Sequence, residues 1–204
     1  MQEYLFKDKN EKINYGDAVN GELVYYPSFF TIDQAASCYN SLLADIKWQQ
    51  DQISIMGQKI DIPRLTSWYG IEGKTYTYSG IRMDPNAFND TLKNIKKNIE
   101  TVSHTKYNSV LLNQYRSGLD SVDWHSDDEK ELDPKSKIAS VSFGIDRDFQ
   151  IKLKDKSSKL INISLKSGSL VVMKPPFQIN YVHRIPKRIK LNGIRINLTF
   201  RVIT

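Results

Sequence analysis

Cysteine is nearly absent from this chain. Cys38 is the only one in 204 residues, so no internal disulfide can form and a reducing compartment suits the protein. Long apolar runs are missing too: nothing approaches the roughly 18 consecutive apolar residues of a membrane span. The opening Met1-Gln-Glu-Tyr-Leu-Phe-Lys-Asp-Lys has no basic segment leading into an apolar stretch, which argues against a secretory signal. These absences lead us to expect a cytoplasmic protein, nuclear in a eukaryote, with no membrane partner. Repeats, low-complexity tracts and Pro/Gly/Ser-rich linkers are also lacking. Residues 1–204 therefore read as one domain, expected to be a monomer.

The net charge of +6 points weakly to an anionic partner, because a surplus this small also serves solubility alone. Lys93, Lys96 and Lys97 share a helical stretch, Lys152, Lys154 and Lys156 alternate along a strand-like one, and Lys187, Arg188 and Lys190 cluster near the end. Each group can equally be a solvated face.

Periodicity predicts an amphipathic helix over Phe30 to Ile46, capped by Thr31 or Asp33, with Ala36, Tyr39, Leu42 and Leu43 at helical spacing. A second is predicted over Asn86 to Val102, with Phe88, Leu92, Ile95 and Ile99 on one face. After Asn108 the character changes to short β-rich runs: Ser109–Tyr115, Ile138–Gly144, Phe149–Leu153, Ile161–Leu165, Ser169–Met173 and Ile194–Ile203. Six such runs imply a sandwich or barrel, so the fold class is mainly β with flanking helices. Residues 1–107 would form the helical N-terminal part and residues 108–204 the β core.

Histidine is scarce, which makes its placement informative. Of His104, His125 and His183, the first follows the second helix and reads as a helix-end residue. His125-Ser126-Asp127 sets an imidazole and a carboxylate two residues apart, and on extended backbone such positions share a face. His183, in Tyr181-Val182-His183-Arg184, could complete a set of two histidines and one carboxylate. That set leaves coordination positions open, as non-haem iron(II) oxygenases require. Taken alone, His-x-Asp in the acid-rich run Asp127, Asp128, Glu129, Glu131, Asp133 fits a surface loop as well.

The last strand shifts the balance. Ile194, Ile196, Leu198, Phe200 and Val202 form an apolar face, and Arg195, Asn197, Thr199 and Arg201 form the other. The polar face could meet solvent. Inside a barrel, its arginines would need a carboxylate or phosphate to offset their burial, and an arginine fork matches a carboxylate bidentately. A dicarboxylate such as 2-oxoglutarate needs that clamp at its distal end. Arg195 and Arg201 are about 20 Å apart along an extended strand, so both reach one small ligand only if twist and side-chain length converge. Asn113 and Tyr115 share one face of an earlier strand and could add polar contacts.

The order Asn113-Gln-Tyr115, His125-Ser-Asp127-Asp128-Glu129, Ile138-Ala-Ser-Val-Ser-Phe-Gly144, Gly168-Ser-Leu-Val-Val-Met173, His183 and Arg195-Ile-Asn197-Leu-Thr-Phe-Arg201 resembles the AlkB family of nucleic-acid dealkylases. Ile62-Pro-Arg-Leu-Thr-Ser-Trp-Tyr-Gly70 and Thr75-Tyr-Thr-Tyr-Ser-Gly80 extend the likeness toward animal members acting on double-stranded DNA, over Ile55 to Thr204. The resemblance implies a double-stranded β-helix (jelly roll) core with an N-terminal nucleotide-recognition lid. It implies iron(II) held by His125, Asp127 and His183, and 2-oxoglutarate held by Asn113, Tyr115, Arg195, Asn197 and Arg201, with O₂ as the other co-substrate. Arg64, Tyr76, Asp128 and Glu129 would contact a flipped base. Met56 stands where duplex-active relatives carry an aromatic wedge, and Phe177 where many relatives have a small polar residue, so the pocket near His183 is expected to differ. The implied activity is dealkylation of N1-methyladenine and N3-methylcytosine in alkylated DNA, releasing formaldehyde. The alternatives are an RNA demethylase, a protein or small-molecule hydroxylase, and a nucleic-acid-binding module with a dead site.

Overall fold

The computed structural model describes residues 11–204 apart from positions 18, 56, 72–75, 79–80, 84 and 156–158, and only the backbone at 55, 76–78 and 81–83. Ile13–Asp17 (β1) and Gly21–Tyr26 (β2) pair antiparallel, and Ile32–Asp45 forms the first helix, α1. Next come a ribbon of Gln52–Ile55 (β3) and Gln58–Asp61 (β4), then the strand Leu65–Gly70 (β5). A second ribbon, Tyr76–Tyr78 (β6) and Ile81–Met83 (β7), precedes helix α2 at Asp90–Ser103. The remaining strands begin with Ser109–Tyr115 (β8), Val122–His125 (β9), Ile138–Gly144 (β10) and Arg147–Leu153 (β11). Ile161–Leu165 (β12) and Ser169–Met173 (β13) follow; one helical turn, Phe177–Asn180 (α3), leads into Tyr181–Ile185 (β14) and Arg195–Arg201 (β15).

Local chemistry sets the helix ends. Thr31 caps α1 through a reciprocal capping box with Gln34, satisfying backbone donors that the first turn would leave open. Asn89 caps α2, and His104 closes it in the left-handed region at φ 52°. The predicted helix-end role of His104 is what the structure shows.

Seven strands form the large sheet in the order β1-β2-β13-β10-β15-β8-β5, and four form the small one in the order β12-β11-β14-β9. Every pairing in both is antiparallel. Two facing antiparallel sheets make the expected jelly roll. One face of the large sheet packs Leu112, Val141, Phe143, Leu198 and Phe200 against Leu42 of α1 and Leu92, Ile95 and Ile99 of α2. The other face, with Leu111, Val171 and Met173, meets Phe149, Ile151 and Ile163 of the small sheet. β15 is therefore buried along its whole length, and its polar face turns into the space between the sheets.

Two readings change here. β2 and β5 come from the part of the chain read as helices and lid, yet both are strands of the large sheet. The core therefore draws on both sides of residue 107. Phe177 does not shape the cavity beside His183; it is buried, stacked on Tyr181 with ring centroids 4.6 Å apart. Phe200 is fully buried between sheet and helices. Phe200→Ala should lower stability by about 3–5 kcal/mol, read by urea denaturation, through lost burial plus an unfilled cavity.

Candidate metal and co-substrate site

β14 pairs with β9 so that His183 lies directly across from His125. Their rings are 4.4 Å apart between centroids. Asp127 stands just past the end of β9, with a carboxylate oxygen 3.9 Å from His183 Nε2. One ligand atom from each of the three residues lies within 4.8 Å of the others. Bonds of about 2.1 Å to a shared ion put neighbouring ligands about 3 Å apart, so small side-chain rotations close the set.

Hydrogen bonds and charge prepare these donors. His125 Nδ1 is 2.7 Å from the Asp123 carbonyl, which can only accept, so Nδ1 carries the proton and Nε2 keeps its lone pair. Burial pushes His183 down to a pKa of about 3, with His125 adding to the shift, so its contact with Asp127 is not an ion pair at neutral pH. Burial works to raise the Asp127 carboxyl, but Arg201 beside it, and then the two imidazoles, hold it below the usual carboxylate range. Arg201 Nη2 donates to Asp127 Oδ1 at 2.5 Å. Beside His125, the centre thus presents a neutral His183 imidazole and one carboxylate anion, which suits a divalent ion.

The same cavity is lined by Asn113, Tyr115, Arg195, Asn197 and Arg201. The two arginines, six residues apart on β15, both reach it, Arg201 at the metal end and Arg195 at the other. Arg195 is 0% exposed. Its Nη2 donates to Ser142 Oγ at 2.9 Å and Asn197 Oδ1 at 2.6 Å, while its buried Nε and Nη1 meet no acceptor among the described residues. Burial pushes its pKa down to about 10, against the opposing pull of Tyr115.

A sequence profile of the 2OG-Fe(II) oxygenase superfamily matches residues 22–201. The chain belongs to that superfamily. Human alpha-ketoglutarate-dependent dioxygenase alkB homolog 3 is 38% identical over 191 residues, covering 87% of this chain and 65% of its own length. Human DNA oxidative demethylase ALKBH2 is 38% identical over 159 residues, covering 74% and 61%. The Arabidopsis thaliana ALKBH2 protein is 35% identical over 208 residues, covering 89% and 66%. The chain thus spans somewhat under two thirds of these AlkB relatives' length, in keeping with the resemblance its motifs carry. Among solved structures, OsALKBH1 shares the fold at a TM-score of 0.63 and 14% identity, over 88% of this chain and 96% of that one. The profile match starts before residue 55, where the motif resemblance began; β2, already a core strand, explains the extension.

Membership in the 2OG-Fe(II) oxygenases implies iron(II), 2-oxoglutarate and O₂. The residues present fit them. Two imidazoles and a carboxylate match iron(II), and the unmet Nε and Nη1 of buried Arg195 match a carboxylate that none of the described residues supplies.

The base-contact candidates are less gathered. Arg64 is buried in the cavity wall, its Nε donating to Asn113 Oδ1 at 2.7 Å, so it braces a residue assigned to 2-oxoglutarate. The Asp128 side chain is 61% exposed and 3.4 Å from Lys154 Nζ, and Glu129 is half-buried beside it. Met56 lies outside the described residues, as does the side chain of Tyr76. No described helix is long and apolar enough to cross a membrane. Sequence reasoning missed Ser142, which bonds Arg195, and Arg147, which is buried over the Tyr115 ring at 5.5 Å and donates to three backbone carbonyls. The alternation Ser140-Val-Ser142-Phe was the available signal for the serine.

The His183 shift fixes a pH dependence. In the metal-free fold this histidine stays neutral down to about pH 3, whereas the unfolded chain takes up its proton near the ordinary value of 6.5. Stability is therefore full above pH 6.5 and falls as the pH drops toward 3, with a slope approaching about 1.4 kcal/mol per unit. Metal-free His183→Gln should lose this component between pH 6.5 and 4. Parallel stability–pH curves for the two proteins would refute the assignment.

Proposed function

We propose that this protein is an iron(II)- and 2-oxoglutarate-dependent dioxygenase that removes alkyl groups from N1-methyladenine and N3-methylcytosine in DNA. The observation that carries this reading is the shared cavity: His125, Asp127 and His183 at one end and the incompletely bonded Arg195 at the other. The DNA substrate draws further support from the ALKBH2 relatives, which are named as DNA oxidative demethylases. The reading carries with it an alkylated-DNA partner, a monomer and a cytoplasmic location, nuclear in a eukaryote.

His125 Nε2, the Asp127 carboxylate and His183 would hold the iron. With 2-oxoglutarate and O₂ bound, that iron would supply the oxidation of an N-methyl carbon, which would leave as formaldehyde. Arg195 and Tyr115 would take the distal carboxylate. Arg201, already beside Asp127, would meet the keto-acid end, and Asn113 and Asn197 line the same cavity. Arg64 keeps Asn113 oriented. A base inside a duplex cannot reach the metal, so it must flip out, which costs a few kcal/mol and least for a damaged base that no longer pairs. Asp128 and Glu129 would meet the positive charge of the methylated base, with Tyr76 as a stacking partner and Met56 as the apolar wedge.

Formaldehyde release from methylated single-stranded DNA, duplex DNA and RNA, run in parallel with iron-loaded protein, tests this. Turnover on DNA is expected, and His125→Ala should abolish it. Turnover only on RNA would move the substrate to RNA, and succinate formation stimulated by a peptide alone would make the protein a hydroxylase. Arg195→Met should raise the KM for 2-oxoglutarate roughly 10- to 100-fold, the worth of a hydrogen-bonded charge pair, while altering kcat less. An unchanged KM would remove Arg195 from the clamp.

A further inference from the structure

We propose that Gln178 is a positioning residue for Asp127, a role that rests on the metal-binding reading above. Gln178 belongs to α3, the single helical turn before β14. Its Oε1 accepts from the Asp127 backbone N–H at 3.0 Å, and its Nε2 lies 3.2 Å from the Met173 sulfur, toward which it donates. Only the oxygen of a carboxamide can meet an N–H, so chemistry sets which way this amide points.

Asp127 needs such a hold. β9 ends at His125, and Asp127 lies two residues further on, outside any strand. The neighbouring anchors run to the same turn. Ser126 Oγ donates to the Tyr181 carbonyl at 2.9 Å. Lys154, the ion-pair partner of Asp128, donates to the Gln178 carbonyl at 3.0 Å. Three consecutive residues are thereby tied to one stretch of chain, 178–181, and Gln178 makes the tie that ends on the metal ligand itself. Its second partner, Met173, closes β13 in the large sheet and lines the metal-facing cavity. One carboxamide therefore sets the distance between the Asp127 segment and the opposite sheet. Without the acceptor, the Asp127 N–H loses its partner, and the carboxylate is left to follow Arg201 instead of the imidazoles.

The test is anaerobic Co(II) titration of the full chain, following the visible d–d absorption band. Gln178→Leu removes both bonds at nearly constant volume, whereas Gln178→Glu keeps the acceptor and removes the donor. The leucine variant should bind Co(II) roughly 10- to 100-fold more weakly and with an altered band, while the glutamate variant stays close to wild type. Wild-type affinity and an unchanged band in Gln178→Leu overturn the proposal. An equal loss in both variants also overturns it, because the acceptor would then not be what matters. A wild type that takes up no Co(II) overturns the metal-site reading and this proposal together, which tells the two failures apart.

Discussion

The antiparallel pairing of β9 with β14 sets His125 across from His183, and the rest of the site is arranged around that register. A slip of one residue would turn one imidazole to the outer face of the small sheet. The pairing is short, and its register shifts after His183. It is held instead by bonds outside the ladder: Ser126 to the Tyr181 carbonyl, and Asp127 to Gln178. Arg184, just outside the cavity, packs over Trp124 at 4.5 Å and bonds Gln150, tying β14 to both neighbouring strands on the outer face. The placement of His125, Asp127 and His183 therefore depends on contacts on both faces of a four-stranded sheet.

A second constraint comes from placing cations between two sheets. Arg64, Arg147, Arg195 and Arg201 are all buried, and each has a different answer to the loss of water. Arg201 pairs with Asp127, and Arg64 bonds an amide oxygen and a carbonyl. Arg147 donates to three backbone carbonyls from Ser117, Asp120 and Pro186, which fastens two loops beneath Tyr115. Arg195, which lines the cavity, has two buried nitrogens, Nε and Nη1, without an acceptor among the described residues, and its Nη2 meets only Ser142 and Asn197. Arg64 and Arg147 brace the walls through protein acceptors, and both Arg195 and Arg201 line the cavity. Tyr115 lies beside two of these cations, with guanidinium groups at 5.1 and 5.5 Å from its ring.

Much of this was legible in the linear order of residues. Period-two alternation located β8, β10, β12 and β13 at both ends and β15 to within two residues, because buried strands of Val, Ile, Leu and Phe announce themselves. The first helix was placed by its Thr31 cap and both by apolar spacing, though α2 starts at Asp90, four residues later than its apolar pattern suggested. The strands that carry the histidines, β9 and β14, were not recognised: Val122-Asp-Trp-His125 and Tyr181-Val-His-Arg-Ile185 give half their positions to polar or functional residues, which weakens the alternation. β2 was overlooked because Gly21-Glu-Leu-Val-Tyr-Tyr26 adds to the large sheet only through contacts with β13, about 145 residues away.

Residue types and spacing thus determined by themselves that two histidines and an aspartate could share an ion, and that β15 carries a polar face too cationic to bury without an anion. Only the tertiary structure decided that these meet in one cavity. Arg195 and Arg201 line the same cavity despite their separation along the strand, because β15 is covered by the facing sheet along its whole length. It also assigned Arg64 to brace Asn113 and Gln178 to hold Asp127. Such roles depend on which side chains end within hydrogen-bonding distance, a matter of packing that distant parts of the chain settle together.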